Sequence, residues 1–397
     1  MNEFLLIGVD GGATKVSGWE IKPEGNHLFS LGALNEQRSY RDIPGFIADF
    51  IPVELPTQLQ EWQSGNINPT DDETQQAAVY IEAAAQVIEA LAARSKKDRI
   101  LVGLGMPGLK TADKRGIAVV ANGPRMINYA RQLEERLAMK NIRFVQPIHQ
   151  LGSDADYCGL GENYAADGLF RDVDNAYYLG GGTGVADALK LNGQLLPFDQ
   201  TKNWLAKSWE MKSADDLSLE KYASAGGIQS IYANKAGIPL EELNEQSVYP
   251  PQIAQQASDG EQAAVETFRL VSAQLARLLY ERISTLYVGW QGLFGFVNPQ
   301  RAALQSDHPY RGTLLQRIIL GQRLGELLEL DAAQSVLRQP MLDSLQKLID
   351  QSDALDENAK QHYSDVAALI AVSRLREAPA VGAGVDAYLH HTSAGEF

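Results

Sequence analysis

The chain has 397 residues, 45% of them hydrophobic and 21% charged, with a formal net charge of −15. That length fits two domains with separate cores, and acids spread along the chain exclude sequence-independent nucleic-acid binding, which needs a basic surface; a local nucleotide cradle stays open. The single cysteine, Cys158, excludes internal disulfides and cysteine-rich zinc or iron–sulfur centres, and no apolar run reaches about 18 residues, so a soluble cytoplasmic protein is expected.

Leu5–Val9 reads as a strand core and Val16–Ile21 resumes the apolar alternation, so the glycines between them mark a hairpin bend. A plain bend accounts for Gly11 and Gly12 but does not require Asp10, Thr14 and Lys15 beside them. Bare backbone N–H groups, a hydroxyl and an ammonium suit phosphate oxygens, and a leading carboxylate suits a hydrated Mg²⁺; a structural turn is the alternative. Further strands are predicted at His27–Leu31, Ile100–Gly105 and Phe144–Ile148, with helices over Asp72–Arg94 and Tyr129–Met139. Before Leu5 there is no room for a helix-turn-helix, so no nucleic-acid partner is expected.

The apolar stretch after Phe144 ends at Gly152, followed by Ser153, Asp154 and a predicted helix. Asp154 is either a helix cap or the carboxylate that accepts a hydroxyl proton in phosphoryl transfer. A second strand set begins at Ala176 and runs into Gly180, Gly181, Gly182, Thr183 and Gly184, with Asn192–Gly193 as a hairpin turn further on. Two glycine turns at equivalent places in two α/β halves are either unrelated hairpins or a pair of phosphate loops. From Leu217 to Leu348 the pattern is helical, broken by a short strand at Arg317–Leu320.

In their order and spacing these segments resemble the ROK family of sugar kinases, within the sugar kinase/Hsp70/actin fold. "GVDGGATK" is similar to the first phosphate loop, "GLGMPGLK" to the Gly-Pro-Gly segment and "ANGPRMINY" to the asparagine segment of the sugar pocket. "GSDADYCGLGE" resembles the stretch bearing the catalytic aspartate, "LGGGTGVADALKLNG" the second phosphate loop and "LSLEKYASAGGI" the segment whose glutamate touches sugar. "RIILGQRLG" resembles the turn under adenosine, and "SRLREAPAVGAGVDAY" the C-terminal helix that returns to the first domain.

The resemblance implies an α/β protein of two ribonuclease H-like domains with a cleft between them, residues 1–163 plus 378–397 and residues 164–377. It implies ATP with Mg²⁺ and phosphorylation of a hydroxyl on a sugar-like acceptor. Carried over by motif, Asp154 is the general base and Asp10 the metal ligand. Gly11, Gly12, Thr14, Lys15, Gly181, Gly182, Thr183, Gly184, Gly321 and Gln322 serve ATP. Gly108, Asn122, Ser153, Lys207, Glu210 and Glu220 serve the sugar. Gly108 is otherwise a plain turn, and Asn122 otherwise caps the helix that follows.

The departures concern the acceptor. Ser153 stands where the family has asparagine, Lys207 and Glu210 fall where it has a Glu-x-x-His pair, and the histidine–cysteine zinc cluster is missing, so no zinc is expected. Asp187 follows the second loop as a new acid. Either Lys207 favours an anionic ligand, or Glu210 and Asp187 neutralise it and the ligand stays neutral; a modified sugar, acidic or N-substituted, is preferred over glucose. Lys207 and Glu210 are otherwise an i,i+3 surface ion pair. Trp204 and Trp209 are packing residues or line a sugar ring. The insert at residues 298–316 is a surface loop or an oligomer contact, such as that of a homodimer. The competing functions are a non-catalytic sugar- or nucleotide-sensing relative and an ATPase that couples hydrolysis to conformational change.

Overall fold

A computed structural model describes residues 4–25 and 27–393, except for the side chain of Asp154. It divides into two units, residues 1–168 with 377–397 and residues 169–376. The first boundary follows from pairing: Ala165 bridges Phe29 and the Ala166 N–H donates to the Phe29 carbonyl at 3.0 Å, which ties this stretch to the first unit.

In the first unit, β1 (Leu5–Gly11), β2 (Lys15–Gly25) and β3 (Leu28–Ser39) form an antiparallel meander, and β4 (Arg99–Gly105) pairs parallel to β1. The minor hairpin β5 (Leu109–Lys110) and β6 (Ile117–Val119) leads to β7 (Arg143–Phe144) and β8 (Leu151–Gly152), which pair with opposite ends of β4. The strand expected over Phe144–Ile148 is therefore broken. Pro147 has no N–H to give to a ladder, and pairing resumes only at Leu151.

The helix Asp71–Ser95 covers one face, its start fixed by a capping box between Thr70 and Glu73. The helix Ala378–Ser393 covers the other. It lies so close that a Cβ on Gly8 or Gly103, which are neighbours across β1 and β4, would sit 1.8 Å from the Ala380 carbonyl oxygen and 1.7 Å from that of Ala383. Only glycine permits that approach.

The second unit repeats the plan. β9 (Ala176–Gly181), β10 (Val185–Leu191) and β11 (Gln194–Leu196) form the meander, with Asn192 and Gly193 both at positive φ in the turn. After a two-stranded ribbon of β12 (Met211–Lys212) and β13 (Gly295–Phe296), β14 (Arg317–Gly321) pairs parallel to β9 and β15 (Ile370–Val372) parallel to β14. The order β3-β2-β1-β4-β7 in one sheet matches β11-β10-β9-β14-β15 in the other. The helix Gln262–Val288 forms the spine of the second unit's apolar core. Among the described residues no helix is long and apolar enough to cross a membrane.

Candidate active site

The first glycine turn joins β1 to β2. Gly11 pairs with Val16 and the Gly12 N–H donates to the Lys15 carbonyl at 2.9 Å. Its carbonyls are held from below. The Tyr40 hydroxyl donates to the Gly12 carbonyl at 3.1 Å and the Tyr80 hydroxyl to the Ala13 carbonyl at 2.9 Å, the two rings stacked at 3.7 Å. Burial pushes the Tyr80 hydroxyl up to about 12 and the Tyr40 hydroxyl well above its ordinary value, so both remain protonated donors. Asp10, next to last in this strand, is half-buried and in register with Gly105 and Ser17. Thr14 is exposed, and the Lys15 ammonium donates to Gln37 Oε1 at 2.7 Å.

The Gly108 and Asn122 segments are braced in the same unit. Gly108 has φ 99°, and a Cβ there would lie 2.5 Å from the Val119 carbonyl oxygen. The buried Gln58 amide grips Val120 at both backbone groups, accepting its N–H at 2.8 Å and donating to its carbonyl at 3.0 Å. Beyond Asn122, the guanidinium of buried Arg125 donates to Glu73 at 2.8 and 2.6 Å, to the Asn68 carbonyl at 3.1 Å and to Glu61. Burial raises the Glu73 carboxyl, but the guanidinium outweighs it and holds Glu73 below the usual carboxylate range. Asn122 itself is exposed between these braces. It does not cap the following helix: that helix starts at Tyr129 with Asn128 in the cap position.

Ser153 caps the helix Asp154–Tyr164, its hydroxyl accepting from the Asp156 N–H at 3.5 Å. Asp154 is the first helical residue; its side chain lies outside the described residues.

In the second unit the second glycine turn joins β9 to β10, with the Gly182 N–H donating to the Gly184 carbonyl at 2.8 Å. Thr183 is exposed. Neighbours crowd the turn: a Cβ on Gly181 would sit 1.9 Å from the Ala223 carbonyl oxygen, one on Gly182 2.9 Å from Gln322 Oε1 and one on Gly184 3.0 Å from Glu220 Oε1. The second loop, Gly321–Gln322 and Glu220, distant in sequence, therefore meet. Gln322 bridges Gly181 and holds φ 56°, a left-handed conformation that opens its helix. Burial raises the Glu220 carboxyl above the usual range, with the Asp187 charge adding to it and Lys221 opposing.

Lys207, Glu210 and Asp187 are not partners of one another's side chains, which corrects both the internal neutralisation and the surface ion pair. Lys207 Nζ lies 3.5 Å from Asp199, and Glu210 accepts the Lys207 backbone N–H at 2.7 Å and pairs with Arg301 at 3.3 Å. Asp187 is buried, accepting from Tyr177 at 2.6 Å, from the Ser208 hydroxyl at 2.6 Å and N–H at 2.9 Å, and pairing with Arg282 at 3.2 Å. The two tryptophans differ in exposure: Trp204 packs on His308 at 4.3 Å between centroids, whereas Trp209 is exposed. The insert at residues 298–316 lies on its own unit: Arg301 stacks on Phe296 at 4.6 Å, the Gln305 N–H donates to Asn203 at 2.8 Å, and His308 bonds the Thr285 carbonyl at 2.8 Å.

Sequence reasoning missed Tyr40, Tyr80, Gln58, the Arg125–Glu73 pair and Arg282. Only Glu73 left a readable mark, as the fourth residue of the Thr70 capping box, and that mark says nothing of its arginine.

No family model matches the chain, and no curated protein matches it by sequence. Solved structures do. A ROK family glucokinase from Streptomyces griseus, in complex with glucose and AMPPNP, matches at TM-score 0.57 and 15% identity over 97% of this chain and 99% of its own. A ROK hexokinase from Thermus thermophilus matches at 0.54 and 15% over 98% and 99%. A ROK family transcriptional regulator, a homologue of the E. coli MLC protein, matches at 0.55 and 13% over 97% of this chain and 78% of its own. At these identities the likeness shows the fold: two α/β units of the actin-like ATPase kind seen in ROK proteins.

Proposed function

Proceeding from the fold of the ROK sugar kinases, we propose that the protein transfers the γ-phosphoryl group of ATP to a hydroxyl of a sugar or modified sugar. The observation that carries this reading is the repeated sheet order, each sheet opening on a glycine hairpin at the end of its first strand. Each turn suits a nucleotide's phosphates, and Gly321 and Gln322, beside the second turn, suit its adenosine. The glucokinase neighbour holds glucose and AMPPNP, which supports the same pair of ligand classes here.

Asp154 accepts the proton of the acceptor hydroxyl as its oxygen bonds to the γ-phosphorus and the bond to the ADP oxygen breaks; the proton then leaves to solvent. Asp10 suits Mg²⁺, being a half-buried hard oxygen donor at a strand end beside the first turn, where a metal that keeps most of its waters needs few protein ligands. When bound, Mg²⁺ neutralises phosphate charge. Glu220, raised toward its neutral form beside Gly184, bonds a sugar hydroxyl in this reading. The acceptor favoured is a modified sugar, acidic or N-substituted, since among the described residues Lys207 has only the exposed Asp199 against its ammonium.

The test is ADP release with a panel of sugars, amino sugars and sugar acids. Acceptor-dependent ADP is expected, and Asp154→Asn should keep ATP binding while cutting turnover by roughly 10²–10⁴-fold. The regulator neighbour favours a second reading, ligand sensing without transfer. Sugar binding with no ADP formed from any acceptor would establish it.

A further inference from the structure

One half-buried carboxylate of the first unit has no part in the chemistry above. Asp386 lies on the helix Ala378–Ser393, and its Oδ2 accepts from three donors: His149 Nε2 at 3.0 Å, Gln150 Nε2 at 3.0 Å and the Tyr157 hydroxyl at 2.8 Å. Burial raises this carboxyl, and the donors outweigh burial and leave it below its ordinary range, so it is an anion.

The donors stand at meaningful places. His149 and Gln150 immediately precede β8, and Tyr157 follows Asp154 by less than one helical turn. One oxygen therefore ties down the chain on both sides of the Leu151–Asp156 turn. The Tyr157 ring fills the space left by two glycines: a Cβ on Gly152 would lie 2.0 Å from its Cζ and one on Gly105 3.0 Å from its Cδ2. The Tyr157 N–H donates to the Ser153 carbonyl at 3.0 Å, closing the first helical turn. Helix and helix also touch backbone to backbone, since a Cβ on Gly382 would meet the Tyr157 carbonyl oxygen at 2.0 Å.

We propose that Asp386 is a positioning residue for the transfer step, its carboxylate locking the strand–turn–helix segment that presents Ser153 and Asp154. This rests on the assignment of Asp154 as base. An anion is the right acceptor for the task, because one oxygen serving three donors needs the stronger, charge-assisted bonds. A base held in reacting geometry gains rate through orientation, so loosening the segment lowers kcat without weakening the nucleotide's hold.

The experiment uses the full chain as wild type, Asp386→Asn and Tyr157→Phe, the last keeping the ring and losing one donor. Amide hydrogen exchange without ligand is read over residues 151–158, and kcat and KM for ATP are measured with the best acceptor. Asp386→Asn is expected to speed exchange in that segment about tenfold and lower kcat about 10–100-fold, with KM for ATP within about twofold. Tyr157→Phe should move both readouts the same way by less, which keeps the test alive if Asp386→Asn fails to fold. Unchanged exchange in both variants overturns the clamp, and faster exchange with wild-type kcat overturns the positioning role. A wild type with no acceptor-dependent turnover overturns the kinase reading instead, and exchange alone then decides whether Asp386 holds the turn.

Discussion

Each unit buries one arginine against two carboxylates, and the two clusters are not equivalent. Arg125 braces a loop in the first unit, where Glu73 is fully buried and Glu61 keeps 25% of its side-chain exposure. One buried cation faces one buried anion, the second anion is solvated, and the Nε and both terminal nitrogens of the guanidinium have acceptors. Arg282 sits on the central helix of the second unit with Asp187 and Glu281 both sealed from solvent. There two anions share one cation, Arg282 Nε has no acceptor among the described residues, and burial drives the Glu281 carboxyl above its usual range. A charge-balanced cluster acts as a fastener; an unbalanced one is relieved by holding a proton.

Neutral substitutions should separate them, with the largest effect in the first unit. Glu73→Gln leaves Arg125 buried with only a half-solvated partner, and should cost about 3–5 kcal/mol in denaturant unfolding. Glu281→Gln mimics the protonated acid, with an amide oxygen for Arg282 and an amide N–H for Thr285, and should cost only about 1 kcal/mol. Equal losses at the two positions would erase the distinction.

The units also differ in how they hold their glycine turns. In the second, neighbouring backbone presses on the turn, so Gly181→Ala drives a methyl into the Ala223 carbonyl oxygen at 1.9 Å and Leu324 Cβ at 2.8 Å. The expected loss is about 1–3 kcal/mol, read from the unfolding midpoint. A crowded site that absorbed the methyl without loss would mean that this turn is looser than its contacts imply.

A smaller effect concerns pH, and its sign differs between the clusters. Glu73 titrates below its unfolded value, so its contribution is present above the ordinary carboxylate range and is lost as pH falls through the folded value. Glu281 titrates above its unfolded value, so its contribution is present below the ordinary range and is lost as pH rises through the folded value. Against wild type, the stability deficit of Glu73→Gln should shrink toward acid, and that of Glu281→Gln should shrink toward neutral pH. Melting temperatures across roughly pH 2–8 would reveal parallel rather than opposed trends if the charge accounting is wrong.

What the sequence made legible was local. The apolar run of Leu5–Val9, the alternation of Val16–Ile21, the Asn192–Gly193 turn and the helical stripe of Asp72–Arg94 each carry their signal within a few residues, and the structure has them at those places. Motif order carried the glycine turns. The braces stayed hidden because their partners lie far apart: Arg125 and Glu73 are 52 positions apart, Tyr157 and Asp386 229, and no periodicity encodes such pairs. Lys207 and Glu210 show the opposite failure, for spacing invited a side-chain pair, yet the carboxylate turned to a backbone N–H and a distant arginine.

The smallest expected change in stability is at the first glycine turn, and it sharpens the comparison most. The nearest atom to a Cβ on Gly12 is the Lys15 carbonyl oxygen at 3.6 Å, an ordinary contact, and Gly12 is not among the residues with positive φ. Its carbonyl is already anchored by Tyr40, and that of Ala13 by Tyr80, so position 12, unlike Gly11, whose Cβ would meet Met106 Sδ at 1.9 Å, does not depend on glycine for its shape. Gly12→Ala should therefore fold with a stability change within about 0.5 kcal/mol. If Gly12 is glycine because phosphate oxygens approach its backbone, the same methyl should weaken ATP binding about tenfold or more by calorimetry while leaving the melting curve in place. Tyr80→Phe provides the reverse pattern, losing about 1 kcal/mol of stability because the half-buried Ala13 carbonyl loses its donor. An alanine at position 12 that binds ATP as wild type does would reduce this turn to a hairpin and nothing more.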